Sequence, residues 1–330
     1  MKFISVYISL FLILLVIIAC ESKAVKRPSL TGNLLLASDA GLLLKNITTG
    51  KIDTLSPNPQ GCFSPDGKYI AYFNEQEMAI CIVSAKERKE VKKITVNGYN
   101  TTFSMSAANG QSVIYWEDTE PGKSPVILRT LIETTSEPQV VHTNSLNDSP
   151  MVVAVPGSIC GNGKQGLVIG FDNNNGSPIK SIDEIDFSSS VRRNINFGAD
   201  AGTYSNLEVS KDDKMCLAII GRTSGKSEVL QWPWSKPANA TAVTLPPAVS
   251  RADSLVDSTA YKAENWQIAA ASFSSGSSDY ICLTNAYYKS LGANSKIIVA
   301  TRGYILNRET SEAVEVSNFG VLDYFPGELK

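Results

Sequence analysis

The feature that most restricts what this chain can fold into is a tight polar turn between two apolar runs, "CFSPDGKYIAYF" at 62–73, which recurs in looser form along the sequence. Ser64, Pro65, Asp66 and Gly67 suit a type I turn. Pro65 presets φ, Asp66 accepts local hydrogen bonds, and Gly67 takes the left-handed conformation that closes a three-residue hairpin. Tyr69 to Phe73 is aromatic and β-branched without a 3.6-residue spacing, which predicts a half-buried strand. "NGQSVIYW" (109–116) repeats the glycine turn and apolar strand, and "GNGKQGLVIGF" (161–171), "KDDKMCLAII" (211–220) and "ANSKIIVAT" (293–301) do so with looser turns. Further short strands follow, such as "AICIVSA" and "VKKITV", "SPVILRTL" and "EPQVV", "SEVLQWPW" and "ATAVTL". Units of about 40 to 60 residues, each of about four short strands, are the pattern of β-propeller blades.

The two ends of the chain give an internal check. "NLLLASDAGLLLKNITTGKIDTLS" (33–56) aligns with "KIIVATRGYILNRETSEAVEVS" (296–317), and both read as the outer three strands of a blade. The first of these lacks an innermost strand, and "GVLDYFPGELK" at the C-terminus is placed to supply it. The expected fold is therefore all-β: a propeller of four-stranded antiparallel blades, closed by the C-terminal strand joining the N-terminal blade. Blade starts near 33, 62, 103, 148, 206 and 266 give six blades, and a split of "WQIAAASFSSGSSDYICLT" gives seven.

"FSPDGKYIAY" resembles the repeat of TolB-like and prolyl-oligopeptidase-type propellers, and the repeat pattern covers residues 32–330. TolB proteins, as the resemblance has it, carry an additional N-terminal α/β domain. Residues 1–31 leave no room for one, so a translocation role is not carried over.

The N-terminus reads as a secretory signal: Lys2, then an apolar run from Phe3 to Ile18, ending "VIIAC". Ile17, Ala19 and Cys20 resemble the lipobox of bacterial lipoproteins, in which the cysteine thiol takes a diacylglyceryl group before cleavage. This predicts a signal peptide over 1–19, lipidation at Cys20, a polar tether over 20–31 and a propeller over 32–330. More than one acyl chain gives stable anchoring. The expected address is the bacterial cell envelope, at the outer membrane, with periplasmic and surface sides both open.

A formal net charge of −2 lacks the basic excess that phosphate-backbone binding needs, which argues against nucleic acid. Cys62, Cys81, Cys160, Cys216 and Cys282 lie in apolar strand-like runs and read as buried small hydrophobes more than a disulfide framework, with one or two bridges left open by export. No cofactor or metal is expected. "GNGKQG" matches a dinucleotide fingerprint in letters, but a strand follows it where a helix would have to start. "DNNNG" at 172–176 breaks the register of a calcium loop. His142 is the only histidine and belongs to the end of an outer strand, which leaves no serine–histidine pair and no histidine-rich metal site. The cation-rich "KERKEVKK" (86–93) falls where an outermost strand begins, so it reads as protection of that edge from strand addition, with docking to an anionic surface as the alternative. Trp232 and Trp234 alternate on one face, to pack between blades or to stack a sugar.

Antiparallel order puts the loops between second and third strands, together with the blade-to-blade connections, on one face, here termed upper. Glu75, Glu77, Glu117, Glu120 and Asp172 would make one side of it acidic, and Glu75, Glu117, Asp118, Glu120 and Asp172 are the candidate ligand-binding residues. The expected function is a monomeric, non-catalytic, lipid-anchored scaffold that presents a propeller face to an envelope protein or glycan. The alternative is a carbohydrate-active lyase or hydrolase with its site at the channel mouth. No spacing in the sequence assembles catalytic residues for that alternative.

Overall fold

A computed structural model describes residues 30–97, 102–107, 111–118, 124–144, 151–171, 178–189, 191–195, 197, 201–222, 227–245, 266–292 and 295–330. The strands form six four-stranded antiparallel sheets. The first blade holds β1 (Asn33–Ser38), β2 (Gly41–Asn46) and β3 (Ile52–Ser56), and the second β4 (Gly61–Phe63), β5 (Tyr69–Asn74), β6 (Ala79–Ser84) and β7 (Glu90–Thr95). The third holds β8 (Phe103–Ser106), β9 (Ser112–Glu117), β10 (Val126–Leu131) and β11 (Gln139–Thr143). The fourth holds β12 (Met151–Val153), β13 (Gln165–Phe171), β14 (Pro178–Asp186) and β15 (Val191–Ile195). The fifth holds β16 (Ala201–Val209), β17 (Met215–Arg222), β18 (Ser227–Pro233) and β19 (Thr241–Ala242). The sixth holds β20 (Trp266–Phe273), β21 (Tyr280–Gly292), β22 (Ser295–Asn307) and β23 (Ala313–Ser317). The last strand, β24 (Gly320–Phe325), pairs antiparallel with β1 and completes the first blade as its innermost strand.

Ring closure is thus as the sequence predicts, with six blades. "WQIAAASFSSGSSDYICLT" is not split between blades, because β20 and β21 form its single hairpin. The fifth innermost strand begins at Ala201 rather than near 206, since register shifts at 201/203 and 205/208 lengthen β16. "ANSKIIVAT" is not the first hairpin of a blade. From Ser295 onward it belongs to the long β21–β22 ribbon, whose pairs from Tyr288↔Ile298 to Gly292↔Ser295 run past the end of β20.

The apolar core lies in the clefts between neighbouring blades. Between the second and third it contains Phe73, Ile80, Ile82, Met105 and Tyr115. Between the fourth and fifth it contains Leu167, Ile182, Cys216 and the fully buried Trp232. Strand alternation produces this: on the innermost strands Phe63, Met105, Val209, Phe273 and Tyr324 are all buried. Burying side chains of this size contributes about 2–3 kcal/mol each. The five propeller cysteines are unpaired thiols, four of them buried, in line with the hydrophobe reading.

The opening hairpin acts at the seam. Gly67 has φ +72°, and a Cβ placed there would stand 2.3 Å from the ring of Phe325, the last residue of β24. The Lys330 N–H donates to the Gly67 carbonyl at 3.2 Å, so the C-terminal tail is tied to this turn. Gly67→Ala therefore meets both a backbone penalty and a clash with the closing strand. It is expected to lower stability by about 2 kcal/mol or more, read as a reduced urea midpoint.

Candidate functional site

The innermost strand of a blade has an unpaired edge toward the channel, and its polar groups need partners there. Ladder register makes Cys62, Ser104, Glu208, Ser272 and Asp323 equivalent, opposite Ala71, Ile114, Leu217, Cys282 and Leu35. Two of these positions are acids, and both serve the next blade in the same way. Asp323 Oδ2 accepts the Phe63 N–H at 2.8 Å, and Glu208 Oε2 accepts the Phe273 N–H at 2.9 Å. Asp323 also accepts the Ser275 N–H at 2.9 Å and the Ser275 hydroxyl at 2.5 Å, so it ties the seam blade to both neighbours.

Lys211 stands above this ring. Its Nζ donates to Ser104 Oγ at 2.7 Å, reaching from the fifth blade to the third, and meets Glu208 Oε1 at 3.4 Å. Burial disfavours the ammonium, but Glu208, Cys62 and Asp323 together outweigh it and hold the Lys211 pKa above the ordinary lysine value. Burial pushes the Glu208 carboxyl up to about 7, against the pull of Lys211 and the Phe273 N–H, with Asp323 adding to the rise. Burial likewise raises Asp323, and lifts the Cys62 thiol to about 12.

Over Lys211 opens a polar cavity of about 590 Å³, walled by the first hairpin loops of the fifth blade (Lys211–Lys214) and the sixth (Ser274–Asp279), with Pro65 and Ala107 opposite. The turn chemistry that shapes the first loop is the one read at 64–67. Ser210 Oγ meets Asp212 Oδ1 at 2.6 Å and accepts the Met215 N–H at 2.9 Å, as Ser64 meets Asp66 at 2.8 Å and accepts the Tyr69 N–H at 2.9 Å. Asp213, at φ +59°, accepts the Gly161 N–H at 2.8 Å and ties this loop to the fourth blade. Burial raises its carboxyl pKa although the Gly161 N–H opposes this.

The assembly brings a cationic amine, two buried carboxyls and a hydroxyl together at the channel. Lys211 Nζ donates to Ser104 Oγ, and the acidic neighbours favour the charged form of the lysine. Among the described residues no group of histidine, cysteine and carboxylate side chains is arranged to hold a metal ion.

The cavity lies on the face of the first hairpins, opposite the face that carries the acidic residues singled out in the sequence. Glu75 is exposed in the β5–β6 turn, and Glu77 there pairs with Lys93 at 2.8 Å. Glu117 accepts the Asn97 N–H at 3.1 Å, and Asp118 accepts the Trp116 indole N–H at 3.3 Å. Glu120, Asp172 and the lipobox Cys20 lie outside the described residues, as does "DNNNG". His142, on β11, stacks on Phe187 at 4.4 Å, and "GNGKQG" is the turn that leads into β13. Sequence reasoning missed Glu208, Lys211 and Asp323. The available signal was a charge inside an apolar strand, in "LEVS" and "VLDY".

No family model matches the chain, and no curated protein matches it. Solved structures do. The putative TolB of Agrobacterium tumefaciens superposes with a TM-score of 0.54 at 16% identity, over 89% of this chain and 91% of that one. TolB of Acinetobacter baumannii gives 0.54 at 14% identity, over 89% of this chain and 65% of that one. The ring shares the propeller fold of these structures. At these identities the shared property is the fold.

Titration of the channel has a stability consequence. A carboxyl whose folded pKa is raised binds its proton more tightly when folded, so stability falls as pH rises through the interval between the two values. For Glu208 that interval runs from 4.5 to about 7. Glu208→Gln keeps an acceptor for Phe273 and removes the titration, so its thermal midpoint is expected to decline less across this interval than that of the wild type, as measured by calorimetry.

Proposed function

We propose that this protein is a non-catalytic binding scaffold of the bacterial envelope, tethered through acylated Cys20 and presenting the first-hairpin face of its propeller to a protein partner. The observation that carries the reading is the channel-mouth cavity: a polar concavity built from loops of separate blades and floored by a lysine kept cationic. Loops on a rigid ring are where binding commonly resides, and a mixed acidic and basic rim gives a partner electrostatic register. The TolB-like fold supports the same class of function, and the lipobox-like "VIIAC" supports the anchor. The acidic residues of the upper face, Glu75, Glu117, Asp118, Glu120 and Asp172, are the second candidate surface.

Crosslinking pull-down from native envelopes distinguishes the two faces. Charge reversal at the exposed Lys214 and Asp279 is expected to abolish capture of a discrete partner that survives alanine replacement of the upper-face acids. The opposite pattern moves the site to the upper face, and no enriched protein overturns the scaffold reading. Cys20→Ala is expected to lose incorporation of labelled fatty acid and to leave the membrane fraction; retention of both would remove the anchor.

A further inference from the structure

A second concavity lies at the periphery of the same face, between the fourth and fifth blades, with a volume of about 310 Å³. We propose that it is a saccharide subsite that takes one neutral sugar ring, a reading that rests on the binding role above and extends it to a ligand class. Its apolar side is formed by Trp234, half-buried, and Val191, which is 64% exposed despite being β-branched and aliphatic. Its polar side is formed by Arg193, Gln165, Glu184 and Asp186. Aromatic surface beside a few fixed donors and acceptors suits a ring with one apolar face and hydroxyls around its rim.

The polar groups are held in place beforehand. Glu184, with its side chain 3% exposed, accepts the Trp232 indole N–H at 3.2 Å and the Ser235 N–H at 3.1 Å through Oε1. Its Oε2 meets Arg193 Nη1 at 2.6 Å, while the arginine side chain stays 52% exposed. A buried carboxylate, itself fixed by the inter-blade tryptophan, thus positions a half-exposed guanidinium over the concavity. Asp186 accepts the Ser188 and Ser189 N–H groups and the Ser188 hydroxyl of the following turn through Oδ1, which fixes its carboxylate at the rim. Two carboxylates against one guanidinium disfavour an acidic sugar, and the size favours a single ring over an extended chain.

The test is calorimetric titration of the full chain with N-acetylglucosamine, cellobiose and mannobiose, with tryptophan fluorescence as a second readout. At least one probe is expected to bind saturably with a dissociation constant on the order of 1 mM, weakened about tenfold or more by Trp234→Ala and by Arg193→Gln. Arg193→Gln leaves Glu184 bonded to Trp232 and Ser235, and an unchanged thermal midpoint separates loss of binding from loss of fold. Binding of none of the three probes, or wild-type binding by Trp234→Ala, would overturn the proposal. Neither Lys214 nor Asp279 lines this concavity, and Lys214 meets Trp234 only through its backbone carbonyl, so saccharide binding and protein capture are read separately.

Discussion

The constraint on which the rest of the ring depends is the unpaired inner edge of each blade. Closing sheets into a propeller protects the outer core but leaves one strand per blade facing the channel with backbone donors in need of acceptors. Here two carboxylates at equivalent ladder positions, Asp323 and Glu208, reach across to the next blade and accept the N–H groups of Phe63 and Phe273. One lies at the seam, where chain entropy works against closure, and the other lies where Lys211 must be neutralised. Removing a carboxylate that caps buried donors costs more than the bond contributes, because each stranded donor then bears its desolvation penalty. The channel is therefore held by groups whose charge state depends on one another.

How much of this was legible in the sequence depends on the range of the interaction. The hairpin at 62–73 could be read locally, since Pro65, Asp66 and Gly67 carry their own conformational preferences, and Gly67 sits at φ +72°. Closure by β24 was legible because residues 33–56 lacked an inner strand and the C-terminus offered one. The tryptophans divided: Trp232 packs between blades, while Trp234 remains partly open to the groove beside it. The channel cluster was not legible, because Glu208 and Asp323 look like interruptions of apolar strands until six blades are superposed. Only then do they share one position with Cys62, Ser104 and Ser272.

The face assignment shows a related limit. Long, acidic loops drew attention to the upper face, since length and charge are visible in a sequence while concavity is not. Glu77 and Glu117 are partnered locally, by Lys93 and the Asn97 N–H. The cavity forms instead where short hairpins converge, because loops such as Lys211–Lys214 and Ser274–Asp279 are too tightly bonded to themselves and to neighbouring blades to fill the space above the channel.

Near-symmetry in the scaffold and asymmetry in the site follow from the same repeat. Five blades present an equivalent residue to the channel, yet only the fifth follows its acid with a lysine three residues on, at the position held by Pro65 in the second blade. That single difference places a cation beneath the cavity without altering the ladder that positions it. A repeat in which backbone register is fixed and one side chain varies can thus carry a local charge pattern at little cost to the fold, since the hydrogen bonds that define the blade do not involve the varied atom. Specificity on such a ring resides in the few hairpins whose residues depart from the repeat.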